Sequence, residues 1–283
     1  MDYQRSRRIA AGADNRRDPG TKKKGLGSMK QFFRAIAAAM LVLAATGAAS
    51  AKDWSTVRIG TEGAYPPFNS FDSDKNLIGF DIDIAKALCD HMKVKCTFVA
   101  QDWDGIIPAL LAKKYDAIIA SMSITAERMK KVGFTNKYYN TPARFITCGK
   151  TMSDASPAGL KGKTIGAQSS TTHSTYLEDV YKDSKIKLYG TQDEANLDLK
   201  NGRLDAVLAD SIVLLEWTKG AGKGCKFFGP DIKNVKYFGK GAGIAVRKED
   251  GDLKAMFNKA LAAIIKDGTY EKINQKYFPF SIY

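Results

Sequence analysis

Two short segments carry the residues best suited to chemistry: Ala120-Ser121-Met122-Ser123-Ile124-Thr125-Ala126-Glu127-Arg128 and Gly202-Arg203-Leu204-Asp205-Ala206-Val207-Leu208-Ala209-Asp210. The first ends in an arginine, whose planar guanidinium grips a carboxylate through two parallel hydrogen bonds as lysine cannot. The second closes an apolar strand pattern with an aspartate, which accepts hydrogen bonds from an ammonium group. A free amino acid carries both ions on one carbon. A cation from one half of the chain and an anion from the other can therefore hold it between them. Taken singly, Arg128 reads as a surface residue paired with Glu127, and Asp210 as a turn or cap. Taken together they imply a two-lobed binder.

Further polar and aromatic residues fall at the carboxyl ends of expected strands, where open parallel sheets place ligands. Ser169-Ser170-Thr171-Thr172 stands between a strand and a helix, where free backbone N–H groups and the helix dipole favour an anion. Ser and Thr are also ordinary caps there. Beside Arg128, Thr171 and Thr172 would grip the same carboxylate from the opposite lobe. Tyr65 and Trp103 can sandwich a side chain by area burial and cation–π attraction, although aromatics near strand ends are often core. Glu62 places a negative charge where a basic side chain would end, which makes the expected ligand cationic. Asp81 and Asp83 open a helix and are assigned to capping and the dipole. Charge-assisted hydrogen bonds contribute roughly 1.5 to 3 kcal/mol each, against on the order of 4 to 15 kcal/mol lost on association. One ion pair in an open cleft is insufficient, so both lobes must close on the ligand.

The elements that must position these residues alternate short apolar runs with helical periods. Strands are expected at 57–61, 96–100, 116–120, 164–168, 186–189 and 205–209, with helices such as Asp81 to Met92, whose Ile82, Ala85, Cys89 and Met92 share one face. Such alternation predicts an α/β fold with parallel sheets covered on both faces. Lys114-Tyr115-Asp116-Ala117-Ile118-Ile119-Ala120-Ser121 echoes Arg203-Leu204-Asp205-Ala206-Val207-Leu208-Ala209-Asp210, which suggests two lobes of similar build. After Gly239-Lys240-Gly241-Ala242-Gly243 comes another apolar run and a final helix from Leu253, so the chain is expected to cross back. Lobe 1 is then residues 52–141 and 241–283, lobe 2 is residues 142–240, and two crossings make a hinge.

The first fifty-one of the 283 residues stand apart. Residues 1–28 are rich in arginine and lysine with little to bury, so they are expected to be disordered, the product of a translation start assigned too early. Residues 29–51 follow the pattern of a cleaved export signal: Lys30 and Arg34, an apolar stretch from Ala35 to Ala45, then Ala49-Ser50-Ala51. The leader holds ten lysines or arginines against three acids, a net of +7 within the whole chain's +14, which leaves the remainder at +7. Those lysines are scattered, so the charge is read as a solvated surface and not as a nucleic-acid site. Export to an oxidising compartment allows Cys89 and Cys96 to bridge locally and Cys148 and Cys225 to pair within the other lobe, with metal binding as the competing use of cysteine. No cofactor, metal or nucleic acid is expected, and the protein is expected to be a monomer.

At this point the chain resembles the periplasmic polar amino-acid-binding proteins of ABC importers, nearest the lysine/arginine/ornithine- and histidine-binding group. The resemblance spans Val57 to Tyr283 and rests on Thr61-Glu62-Gly63-Ala64-Tyr65-Pro66-Pro67-Phe68, Gly79-Phe80-Asp81-Ile82-Asp83, Trp103-Asp104-Gly105-Ile106-Ile107-Pro108-Ala109-Leu110, the Ser121-to-Arg128 segment, Asp205 to Asp210 and Asp267-Gly268-Thr269-Tyr270. It implies a Venus-flytrap fold of two α/β lobes with two hinge crossings, periplasmic, delivering a basic amino acid (arginine, ornithine, lysine or histidine) or a related opine to ABC permease membrane subunits. It further implies that Arg128 and Thr172 take the α-carboxylate and Asp210 with Ser123 the α-ammonium. Ser121 and the carbonyl of Ala120 would line the pocket, Tyr65 and Trp103 would stack, and Glu62 would meet the distal charge. The pair Cys89 and Cys96 matches a disulfide of that group. Glu62 and Ala120 depart from the family's usual Asp and Ser, which reshapes the distal pocket. Two other functions share the fold's resemblance, a cyclohexadienyl dehydratase-like enzyme with Glu62 as its acid or base and a chemosensory ligand domain.

Overall fold

A computed structural model describes residues 52–283; the expected disordered leader and export signal lie outside the described residues. The first half of lobe 1 runs β1 (Thr56–Thr61), β2 (Ala64–Tyr65), β3 (Asn69–Phe71), β4 (Leu77–Ile78), α1 (Phe80–Met92), β5 (Lys95–Ala100), α2 (Ile106–Leu111), β6 (Ala117–Ile118), α3 (Ala126–Met129) and β7 (Gly133–Tyr139). Lobe 2 follows with β8 (Ala143–Thr147), β9 (Thr164–Gln168), α4 (Thr172–Val180), β10 (Lys185–Tyr189), α5 (Gln192–Lys200), β11 (Ala206–Asp210), α6 (Ser211–Lys219), β12 (Lys226–Ile232) and α7 (Val235–Phe238). The chain then returns to lobe 1 as β13 (Ala242–Val246), α8 (Gly251–Lys266) and α9 (Thr269–Tyr277).

Each lobe is built on a five-stranded sheet, ordered β5-β1-β6-β13-β7 in lobe 1 and β10-β9-β11-β8-β12 in lobe 2. The expectation of wholly parallel sheets is corrected here. Strands β5, β1 and β6 are parallel, as are β10, β9 and β11, but the strands at the crossings (β13 and β7, β8 and β12) pair antiparallel. The strands that enter a lobe, β8 and β13, come from the hinge end without a crossover helix, so each runs against both of its neighbours, while β7 and β12 keep the direction of the parallel strands. A small antiparallel β2-β3-β4 sheet, unforeseen in the sequence, carries Tyr65.

Period-2 alternation splits each sheet between two apolar layers. In lobe 1, Val57, Ile59, Ala117, Ile119, Ile244 and Val246 pack under α1 and α8, while Ile118, Ala120 and Ala245 face Trp103, Ile106, Leu110 and Met122. In lobe 2, Phe145, Ile165, Ala167, Ala206 and Leu208 face one side and Ile146, Val207 and Ala209 the other. Cys89 at the end of α1 is bonded to Cys96 in β5, and Cys148 to Cys225 across the other lobe, so the cysteines serve as cross-links and not as metal ligands. The second bridge spans 77 residues against 7, and a longer closed loop removes more entropy from the unfolded chain.

The crossings are short. Asn140-Thr141-Pro142 leads from β7 to β8, and Gly239-Lys240-Gly241 leads from α7 to β13. Both glycines have positive φ (70° and 117°), and a Cβ on Gly241 would lie 2.6 Å from the carbonyl of Tyr139, the last residue of β7 before the other crossing. The two strands of chain are thus pressed together, and only glycine permits that approach. Ile124 N–H also donates to Gly241 O at 2.8 Å, tying the arginine-bearing segment to the hinge.

Candidate functional site

Two adjoining cavities lie between the lobes. The first encloses about 320 Å³, part of it open to solvent, and is lined by Glu62, Tyr65, Trp103, Ala120, Ser121, Ser123, Arg128, Thr171 and Thr172 together with Gln168 and His173. The second, about 390 Å³, shares Tyr65, Ser121, Ser123, Thr172 and His173 with the first and adds Asp210, Thr141 and Phe238 near the hinge. All ten residues singled out in the sequence therefore line one continuous cleft. Arg128 lines the first cavity and Asp210 the second, and the two cavities share Tyr65, Ser121, Ser123, Thr172 and His173.

Arg128 sits inside the single turn of α3, whose cap Thr125 accepts from the Arg128 N–H at 3.2 Å. Its guanidinium donates to the Ser123 carbonyl at 3.1 Å and lies 5.2 Å from the Trp103 ring centroid. Glu127 is engaged instead by Lys130 at 2.5 Å, so the surface-pair reading of Arg128 does not hold. Burial lowers the guanidinium to about 10, a destabilised cation that is still charged at neutral pH. Facing it from lobe 2 is the start of α4. Thr171 there is a true cap: its hydroxyl accepts from Ser174 N–H at 3.1 Å and donates to Gln168 O at 2.8 Å. Its hydroxyl is thus spent as a donor and the Ser174 N–H is taken by the cap, leaving the Thr172 hydroxyl and the N–H groups of Thr172 and His173, which lack helical acceptors, to receive an anion.

Asp210 ends β11 and caps α6, accepting from Ile212 N–H at 2.8 Å and from the Thr141 hydroxyl in the crossing. Cap and cleft-lining roles coexist in one carboxylate with four lone-pair sites. Burial raises it to about 6, with the charge of Asp81 adding to the effect.

Asp81 corrects the sequence reading. It makes no cap; its fully buried carboxylate accepts from Asn69 at 2.9 Å, Ser121 at 3.0 Å and the Tyr138 hydroxyl at 2.6 Å. Ser121 has φ 54°, the left-handed region that non-glycine residues seldom occupy, and its N–H also meets the Tyr138 oxygen. Asp81 therefore fixes the bend that turns the Ala120–Ser123 segment along the cleft wall. Asp83 likewise leaves the helix end and binds Lys276 at 2.6 Å and Tyr277 at 2.7 Å.

Away from the hinge, Glu62 follows β1 and accepts from the Gln168 amide of lobe 2 at 2.6 Å, while that amide also donates to Gly190 O at 3.1 Å. Burial raises Glu62 to about 7; the Gln168 bond opposes the rise, and Asp102, Asp193 and Asp104 reinforce it. Gln168 and His173 escaped the sequence reading. Gln168 had a visible signal, a polar residue ending the apolar run Thr164-Ile165-Gly166-Ala167-Gln168, the same mark that singled out Asp210. His173 had none. Burial and the nearby Arg128 lower its imidazole to about 3, so it stands neutral in the cleft.

Two α/β lobes, two crossings and a cleft that offers a half-buried cation, a buried and a half-buried carboxylate and aromatic walls define a solute-binding protein of the closing-clamp class. The comparisons agree. The family model of bacterial extracellular solute-binding proteins, family 3, matches residues 57–280, and the chain belongs to that family. It is 49% identical over 232 residues to an L-arginine-binding protein of Pseudomonas aeruginosa, covering 80% of this chain and 89% of the relative. To the lysine/arginine/ornithine-binding periplasmic protein of Escherichia coli it is 42% identical, covering 88% and 97%. A solved Salmonella typhimurium periplasmic binding protein of high arginine specificity superposes with a TM-score of 0.74 at 35% identity, covering 79% of this chain and 99% of that one.

Proposed function

We propose that this protein is the periplasmic capture component of an ABC importer for basic amino acids, with arginine and ornithine as leading ligands and lysine and histidine as weaker ones. Arg128, Thr172 and the N–H groups opening α4 receive the α-carboxylate, and Asp210 with Ser123 receives the α-ammonium. Tyr65 and Trp103 hold the aliphatic stem, and Glu62 meets the distal cation. The observation that carries the reading is the half-buried carboxylate of Glu62 in the same cavity as Arg128, with no lysine or arginine paired to it among the described residues. A partly desolvated carboxylate held near neutrality is relieved by an incoming cation. The relatives named above, which are described as binding arginine, or lysine, arginine and ornithine, support the ligand class. They also support a receptor that does no chemistry on its ligand.

A carboxyalkyl group on the α-nitrogen, as in an opine, would bring a second anion into the cavity of Asp210, whose described walls carry no lysine or arginine. That disfavours opines. The enzyme reading keeps one supporting observation, a carboxyl near pH 7 in Glu62, which a general acid requires. Incubation with prephenate or arogenate and product detection tests it.

Thermal denaturation against the twenty amino acids and common opines tests the main reading, because a ligand that binds only the folded state raises the melting temperature. The largest rises are expected for arginine and ornithine. Failure of every basic amino acid to raise it, or a larger rise with a neutral one, would sink the assignment.

A further inference from the structure

Three hydrogen-bonded pairs join the lobes on the side of the cleft away from the hinge: Glu62 with Gln168, Trp103 with Ser170, and Asp104 with Ser169. The last two use a lobe 2 turn that follows β9. The Trp103 indole N–H donates to the Ser170 carbonyl at 3.1 Å, and the Ser169 hydroxyl lies 3.0 Å from both oxygens of Asp104. Ser170 has φ 56°, a conformation L-residues seldom adopt, so the turn is held in the shape that presents this carbonyl to lobe 1. Neither Asp104 nor Ser169 lines either cavity.

Trp103 links the turn to the interior. One edge of its ring reaches lobe 2 through the indole N–H, while its face lies under the Arg128 guanidinium. Anything that orders Arg128 and the Trp103 ring inside the cleft also orders the indole donor at the rim.

We propose that Asp104 and Trp103 of lobe 1, with the Ser169–Ser170 turn of lobe 2, form a latch that sets how long the closed protein retains its ligand. Asp104 and Ser169 act as positioning residues without touching the ligand. This rests on the proposed binding function. Because the latch forms only as the lobes meet, it acts on release and leaves capture by the open form unaltered.

Stopped-flow fluorescence with L-arginine on the parent, Ser169→Ala, Asp104→Ala, the Asp104→Ala/Ser169→Ala pair and Ser169→Ala/Trp103→Phe decides it. Each of the two single variants is expected to speed dissociation about threefold to tenfold, the ordinary net worth of one hydrogen bond, since water screens the exposed carboxylate, with the association rate unchanged. The Asp104→Ala/Ser169→Ala pair should release no faster than either single variant, since all three break one bond. Adding Trp103→Phe, which keeps an aromatic wall and removes the donor, should speed release further. The preference order among arginine, ornithine, lysine and histidine should stay as in the parent for Ser169→Ala, an outcome that a distorted pocket would not give. Unchanged dissociation, a loss confined to the association rate, or additive effects of Asp104→Ala and Ser169→Ala would overturn the latch. If the parent binds no basic amino acid, the functional reading falls, and small-angle scattering decides the latch alone. A radius of gyration larger in the Asp104→Ala/Ser169→Ala pair than in the parent supports it, and identical values overturn it.

Discussion

At the hinge end of the cleft Asp210 is held by Thr141 of the crossing and Ile212 of its own helix, whereas Glu62 on the far side is held by Gln168 of the opposite lobe. Both carboxylates are raised by burial, to about 6 and about 7. Their partners differ in when they are present. Those of Asp210 belong to its own lobe and the hinge, so they persist however the lobes stand. Gln168 reaches Glu62 only when the lobes are together. On the proposed function, the carboxylate that receives the α-ammonium is held in position before the lobes meet, whereas the carboxylate that distinguishes side chains gains its partner only on closure.

The comparison is broken most directly at the common end. Arg128→Ala and Asp210→Ala should each weaken arginine, ornithine and any bound neutral amino acid alike by a hundredfold or more, since truncating one partner of a buried charge pair costs about 2 to 5 kcal/mol. Calorimetry across ligands checks this, and losses restricted to basic ligands would reverse the roles assigned to the two ends. Glu62→Gln should weaken arginine about tenfold to a hundredfold while leaving neutral ligands nearly unaffected. Equal losses for both would refute the specificity role of Glu62.

Protonation sharpens the same contrast. Cations bind the ionised carboxylates, so arginine affinity should fall as the pH drops below about 7, by up to about tenfold per pH unit and per group titrated. In Glu62→Gln the fall should begin only near 6, where Asp210 takes up its proton. An affinity flat from pH 8 to 5 would show that neither carboxylate meets a cation. Stability of the protein without added ligand has the opposite sign: Glu62 rises from 4.5 to about 7, so its contribution favours the fold below 4.5 and is lost as the pH climbs through 7. The smallest expected effect is that of Thr141→Val, which removes one hydrogen bond to Asp210 and should weaken all ligands about threefold to tenfold without altering their order.

Much of this cleft was legible in the chain because strand ends announce themselves. An apolar run that stops at a polar residue marks the place where a buried strand meets the cleft, and Glu62, Ser121 and Asp210 all bear that mark. Gln168 bears it too and was passed over for the serines and threonines beside it. The crossing strands β7, β8 and β12 were not legible, because their pairing is antiparallel and with partners far along the chain. Asp81 was misread for a related reason. An acid in the first turn of a helix is ordinarily explained by the dipole, and nothing local reveals that Asn69, Ser121 and Tyr138 converge on it.

The sequence by itself determined the α/β alternation, the two lobes, the opposed ions of Arg128 and Asp210 and the acid at Glu62, because hydrophobic period and residue chemistry are local properties. Only the tertiary structure decided that Asp81 props Ser121, that Gln168 meets Glu62 across the cleft, and that Trp103 and Asp104 reach the Ser169–Ser170 turn. Each of these is a contact between segments distant in the chain, 40 to 106 residues apart; the first exists only once lobe 1 has folded, and the others only once both lobes have folded and come together.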